Sequence, residues 1–172
     1  MRAENLKQTQ SGFTMIEMIV VVSILGLVAV MTSGFLIVSL TAAGKAEVVK
    51  EVRQNGNYAL SVMEGMILNS RGVGCTSVGD MQKVQVTDAN GIVTNFVCDE
   101  DLKKISSVSA QTVDLTSSSV TVFGCDFWCE DNPGLPVKVH LGFTVQKGGD
   151  TDRPGEKASL EFQTEVMPRN LN

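Results

Sequence analysis

Histidine is almost missing from this chain: His140 stands alone among 172 residues. Imidazole-based metal spacing is therefore absent, as are Gly-x-Ser-x-Gly and the glycine-rich phosphate loop. His140 falls on the polar positions of an alternating stretch, beside Lys138 and Gly142, and reads as a solvated side chain. No enzymatic constellation results, so a non-enzyme is expected. There is no basic run either. Lys and Arg total 14 against 19 Asp and Glu, a formal charge of −5, which gives little support to nucleic-acid binding.

The longest absence is of charge. From Met18 through Gly44, 27 residues, there is no Asp, Glu, Lys, Arg or His. As a helix this run reaches about 40 Å at roughly 1.5 Å per residue, and a hydrocarbon core takes only about 20 residues. Sixteen residues between Met18 and Leu40 are Val, Ile, Leu, Met or Phe, enough to outweigh the interspersed Ser, Thr and Gly. The stretch is expected to enter a membrane.

Glu17 sits at the start of that run, where a carboxylate needs a partner to be tolerated in lipid. If the chain is cut between Gly12 and Phe13, the new α-amino group lies four residues before Glu17, on the same helix face. The amine of one copy can equally neutralise Glu17 of a neighbouring copy. The plainer reading is an interfacial acid on an ordinary anchor.

Ser11-Gly12-Phe13-Thr14-Met15-Ile16-Glu17, after a short leader holding Arg2 and Lys7, resembles the N-terminal motif of type IV pilins and type II secretion pseudopilins. The resemblance covers residues 11 to about 40. It implies that a prepilin peptidase cuts after Gly12 and methylates Phe13, and that Glu17 recruits and registers subunits. It further implies a single-pass inner-membrane precursor with its C-terminal domain outside, extracted by an assembly platform into a filament of like subunits. The chain departs from many major pilins in having no proline in the apolar helix; Gly26 and Gly34 are there instead, where bending or melting is conceivable.

A conventional secretory signal is the rival, because Thr41-Ala42-Ala43 has the small residues that signal peptidase prefers. Against it, the apolar segment exceeds the usual span of about 7–15 residues, and Glu17 interrupts its start. Orientation is not set by flanking charge, since Arg2 and Lys7 precede the run while Lys45, Lys50 and Arg53 come after it. Removing Arg2, Lys7 and Glu4 with the leader leaves 12 basic and 18 acidic side chains, a charge of −6.

Beyond Gly44 the helix is expected to continue as an amphipathic stripe of Val48, Val52, Ala59, Met63, Met66 and Ile67, with a gap at 54–57, and to end near Asn69. Strands then read at 83–87 and 92–97 around the turn Asp88-Ala89-Asn90-Gly91, and at 104–108, 112–115, 119–127, 137–146 and 158–167. The last two form a long-looped hairpin. Together these give an α+β fold, one long N-terminal helix packed on an antiparallel sheet; the resemblance implies the ladle form of pilins. The expected organisation is a leader at 1–12, a membrane and filament-core helix at 13–44, and a globular domain at 45–172.

Four cysteines in an exported chain point to disulfides. Of three possible pairings, Cys75–Cys98 with Cys125–Cys129 is favoured. The first would close 22 intervening residues, stabilising by roughly 3 kcal/mol in the chain-entropy account, and the second would close a loop at a strand end. A four-cysteine zinc site is the alternative. No cofactor is expected, although Asp99-Glu100-Asp101 and Asp150-Thr151-Asp152 offer oxygens to Ca²⁺ without EF-hand spacing. Trp128, read in a polar loop beside Phe127, is either a contact for another subunit or cover for the core edge. The ending Phe162 to Asn170 is similar to those of minor pilins and J-type minor pseudopilins, which implies a minor subunit. A monomeric, signal-anchored exported binding domain is the alternative function.

Overall fold

The computed structural model describes residues 12–78, 81–99, 101–134, 136–149 and 156–169. One helix, α1 (Met15–Leu68), is followed by eight strands: β1 (Gly72–Val78), β2 (Met81–Thr87), β3 (Val93–Asp99), β4 (Lys104–Val108), β5 (Thr112–Asp114), β6 (Thr121–Glu130), β7 (Lys138–Lys147) and β8 (Ala158–Val166). The α+β class and the long N-terminal helix agree with the sequence. The chain divides into two units, Met1–Thr41 and Ala42–Asn172.

In the first unit α1 remains helical through Gly26 and Gly34. Four of its hydroxyls are satisfied within the helix, which lets the run stay apolar in character. Ser23, Thr32, Ser33 and Thr41 each donate to the carbonyl four residues back, at 2.7, 3.0, 2.8 and 2.5 Å. Every described side chain in this unit is exposed.

In the second unit the buried positions of α1 are Val52, Gly56, Ala59, Met63 and Ile67, in steps of four, three, four and four residues along one face. Gly56 fills the gap in the apolar stripe. A Cβ there would run into the ring of Phe162 on β8, so glycine is what lets the strand's aromatic reach the helix backbone. Phe162 in turn stacks on Phe143 at 5.6 Å. Polar contacts fix the same face. Glu64 accepts from the Thr164 hydroxyl at 2.6 Å and Asn55 from the Ser117 amide at 2.8 Å. Glu51 accepts from the Ser119 hydroxyl at 2.5 Å and pairs with Lys147. Hydrogen bonding from Lys147 and then Ser119 holds the Glu51 carboxyl below its ordinary pKa. At the helix C-terminus, Leu68 accepts from the Arg169 amide at 3.1 Å and Ile67 from the Ser70 hydroxyl at 2.7 Å, answering carbonyls that the last turn leaves open.

The strands form two antiparallel sheets rather than the single one expected: β1-β2-β3-β4-β5 and β6-β7-β8. Asp88 organises the β2–β3 turn by accepting from the amides of Asn90 and Ile92, both at 2.8 Å. β1 is not expected from the sequence. Its Gly72-Val73-Gly74 start lacks apolar alternation, and it owes its place to pairing along β2, with Cys75 opposite Val84. The inner faces carry Val84, Val86, Phe96, Cys98 and Ile105 from the first sheet, and Val122, Phe127, Val139, Leu141, Phe143, Val145, Phe162 and Val166 from the β6–β7–β8 region.

β6 changes phase midway. Its register against β7 shifts between Phe123 and Asp126, and Gly124 has φ +62°. A glycine in the left-handed region with one extra residue is a β-bulge. It explains how Val122 and Phe127, an odd number of residues apart, both point inward. It also turns Cys125 and Cys129 toward the first sheet.

The cysteines pair differently from the favoured expectation. Cys75 on β1 is bonded to Cys129 on β6, with Cα atoms 5.5 Å apart. Cys98 on β3 is bonded to Cys125 on β6, at 6.3 Å. The expected Cys125–Cys129 loop fails because both lie on one extended strand, where four residues span about 13 Å. A Cys75–Cys98 bond fails because β2 lies between their strands, a separation of at least two strand spacings or about 9.6 Å. All four cysteines are disulfide-bonded, so the zinc alternative has no thiolates to use. Both bridges stitch β6 to the opposite sheet.

Candidate functional site

Two places carry chemistry. The first is the start of α1. Thr14 is the N-cap: its carbonyl accepts the first helical bond, from the Met18 amide at 3.2 Å, and its hydroxyl accepts from the Glu17 amide at 3.3 Å. Thr14-Met15-Ile16-Glu17 thus has the spacing of a capping box, and Glu17 sits in the first turn, where the helix dipole favours an acid. This local role was readable in the Thr-x-x-Glu pattern and is separate from the role expected of Glu17 beside a cleaved N-terminus. Gly12 and Phe13 precede the cap, outside the helix and exposed. A Cβ at Gly12 would touch nothing. Gly12, Phe13 and Glu17 therefore fall within one accessible segment. Arg2, Glu4, Lys7 and Ser11 lie outside the described residues.

Beyond that cap runs a helix whose apolar side chains, from Met15 to Leu40, are exposed throughout. It is long and apolar enough to cross a membrane. Unburied hydrophobic surface on this scale marks a partner, lipid or protein.

The second place is the outer face of β6-β7-β8. His140 is not a solvated side chain. Its ring stacks on Trp128 with centroids 3.6 Å apart and planes 7° from parallel, leaving the side chain 16% exposed. Nδ1 lies 3.2 Å from Glu165 and Nε2 3.8 Å from Glu130. The cause is register: Trp128, His140 and Glu165 occupy one cross-strand row. Trp128 is on a strand, not in a loop, and 43% exposed. The Glu130 carboxyl is held below its ordinary pKa, first by a hydrogen bond from the Asn132 amide at 3.0 Å and then by the charge of Lys138. Among the described residues this face pairs no nucleophile with a base.

Of the acidic loops, Asp99 caps its turn by accepting from the Leu102 amide at 2.9 Å, and Asp101 is exposed. Glu100, Asp150, Thr151 and Asp152 lie outside the described residues. Among the described residues no group of three or more His, Cys, Asp or Glu side chains is arranged to hold a metal.

Residues 7–33 match the prokaryotic N-terminal methylation motif. No curated protein and no solved structure matches the chain. The motif spans the N-cap, the accessible Gly12-Phe13 step and the first half of the exposed apolar run. It supports membership of the type IV pilin and pseudopilin family and points to a structural subunit. The globular unit lies outside the matched residues.

Proposed function

We propose that the chain is the precursor of a minor subunit of a type IV pilus or type II secretion pseudopilus. A prepilin peptidase cleaves it after Gly12 and methylates Phe13. Residues 13–44 anchor it singly in the inner membrane with the domain from 45 outside, and an assembly platform then moves it into a filament of pilin-like subunits. The observation that carries this reading is the methylation motif at 7–33, overlapping an apolar stretch of α1, Met15 to Leu40, whose described side chains are exposed throughout. The helix serves twice, first dissolved in lipid and then packed against its neighbours in the filament. No cofactor is required for that task; calcium at the acidic loops would be a stabilising addition.

Glu17 is the proposed assembly contact. Its carboxylate pairs with the Phe13 amine that cleavage creates, and the attraction strengthens in low dielectric. A neutral residue there removes the cost of a carboxylate in lipid, so membrane insertion is kept. Glu17→Ala is therefore expected to be cleaved and to remain in the membrane while failing to enter filaments; Glu17→Asp should fall between. The measurement is the fraction of epitope-tagged subunit in sheared filaments when wild-type subunits are limiting. Equal recovery of Glu17→Ala and wild type would remove the acid from the assembly step.

A further inference from the structure

The filament reading leaves the outer face of β6-β7-β8 unused, and that face carries an open groove of about 410 Å³. Gly142 forms its floor, Trp128 on His140 one wall, and the carboxylates of Asp126, Glu161 and Glu165 stand around it. Asp126, Gly142 and Gln163 share one cross-strand row, next to the Trp128 row, so the missing side chain at 142 opens the space.

Like charges on one sheet face repel, and little on this face offsets them. Lys138 lies 3.8 Å from Glu130 and 3.5 Å from Glu165. Asp126 and Glu161 have no cationic partner among the described residues. Four carboxylates (Asp126, Glu130, Glu161, Glu165) face the Lys138 ammonium and the His140 imidazole, so acidic groups outnumber basic ones two to one. A half-exposed indole beside unneutralised carboxylates suits a guanidinium, which offers charge to the acids and a plane to the ring.

We propose that this groove docks a basic polypeptide segment of a partner protein, with an arginine side chain laid over Trp128 between Glu161 and Glu165. Of the chain's own exposed cations, Lys45, Lys50 and Arg53 on α1 are interleaved with Glu47 and Glu51, and Arg71, Lys103 and Arg169 stand far apart in the sequence, so none makes a basic segment. The occupant is therefore a different protein.

Trp128 is the single tryptophan, so its fluorescence in the full-length chain in detergent reads the groove directly. The probes are acetyl-Arg-Gly-Arg-Gly-amide and its citrulline counterpart, which keeps the shape without the charge. The arginine peptide should give a saturable response, at least about tenfold tighter than the citrulline peptide. Glu161→Gln with Glu165→Gln should weaken it by a similar factor. So should Gly142→Val, since a Cβ there meets its neighbours at 3.4 to 3.9 Å and valine suits a strand while filling the floor. Asp88→Asn with Asp101→Asn should leave binding unchanged. Equal response to both peptides, indifference to the groove variants, or no response at millimolar peptide would overturn the proposal. It would also be overturned if Ca²⁺ alone reproduced the response and displaced the peptide, which would make the face a cation site. Self-association that quenches Trp128 and is abolished by Arg53→Glu would overturn it too, by making the occupant a second copy.

Discussion

Gly56 and Phe162 meet where the helix packs on β8, and the sequence shows this contact only as a gap in an apolar stripe. Pattern reading scores glycine as a break, because periodicity counts side chains and cannot count the room left for another one. Two effects compete when Gly56 is replaced. Removing a helical glycine gains up to about 1 kcal/mol, while overpacking a filled site costs roughly 1–3 kcal/mol. Phe162 is held by Phe143, so the overlap should win: Gly56→Val is expected to lose about 2 kcal/mol. Gly65, with nothing within 4 Å of an added Cβ, is the control, and Gly65→Ala should gain up to about 1 kcal/mol. Denaturant unfolding of the detergent-solubilised chain, followed by circular dichroism, gives both values; a Gly56→Val protein as stable as wild type would remove the close approach.

Glu51 supports a pH prediction at the same scale. Its folded pKa is lowered below the reference 4.5 by Lys147 and Ser119. A depressed carboxylate stabilises the fold above the unfolded value, and that contribution is lost as pH falls through the folded one. Lys147→Gln should therefore cost roughly 0.5 kcal/mol at neutral pH, the scale of a surface pair, and progressively less below about pH 4.5. A cost that stays constant into strong acid would assign Lys147 a packing role instead.

Among the elements, those with local signals were legible and those fixed by neighbours were not. The β2–β3 hairpin announces itself through Asp88 to Gly91, and β7 and β8 through strict alternation. β1 has no alternation to show, and its strand character comes from the β2 edge. The bulge at Gly124 reverses the phase of β6, so a reading in steps of two misplaces everything after it. That is also why the cysteines misled: adjacent pairs in sequence looked bridgeable, whereas an extended β6 holds Cys125 and Cys129 too far apart and aims both at the other sheet. Non-reducing peptide mapping should recover Cys75 with Cys129 and Cys98 with Cys125. Replacing Cys75 and Cys129 by serine releases a 54-residue separation and should cost about 4 kcal/mol in the chain-entropy account. Recovery of a Cys125–Cys129 peptide would contradict an unbroken β6.

For the molecule as a whole, the two units differ in what their surfaces need. Among the described residues, Ala42–Asn172 gathers nineteen buried apolar residues in a disulfide-stitched core, while the helix of the first unit exposes every one of its own. The second condition was plain in the sequence, because 27 residues without charge admit few readings. The Trp128 groove was not, because it is assembled from three strands that only the register brings together. The proposed filament role depends on the chain being cut at the accessible step just before the Thr14 cap. Mass spectrometry of the N-terminal peptide from the exported protein decides the matter. That peptide should start at N-methylated Phe13, and a Gly12→Val variant should yield uncleaved precursor, because the added side chain obstructs the peptidase. An intact Met1, or a start near Gly44, would rule out processing at Gly12 and with it the filament subunit.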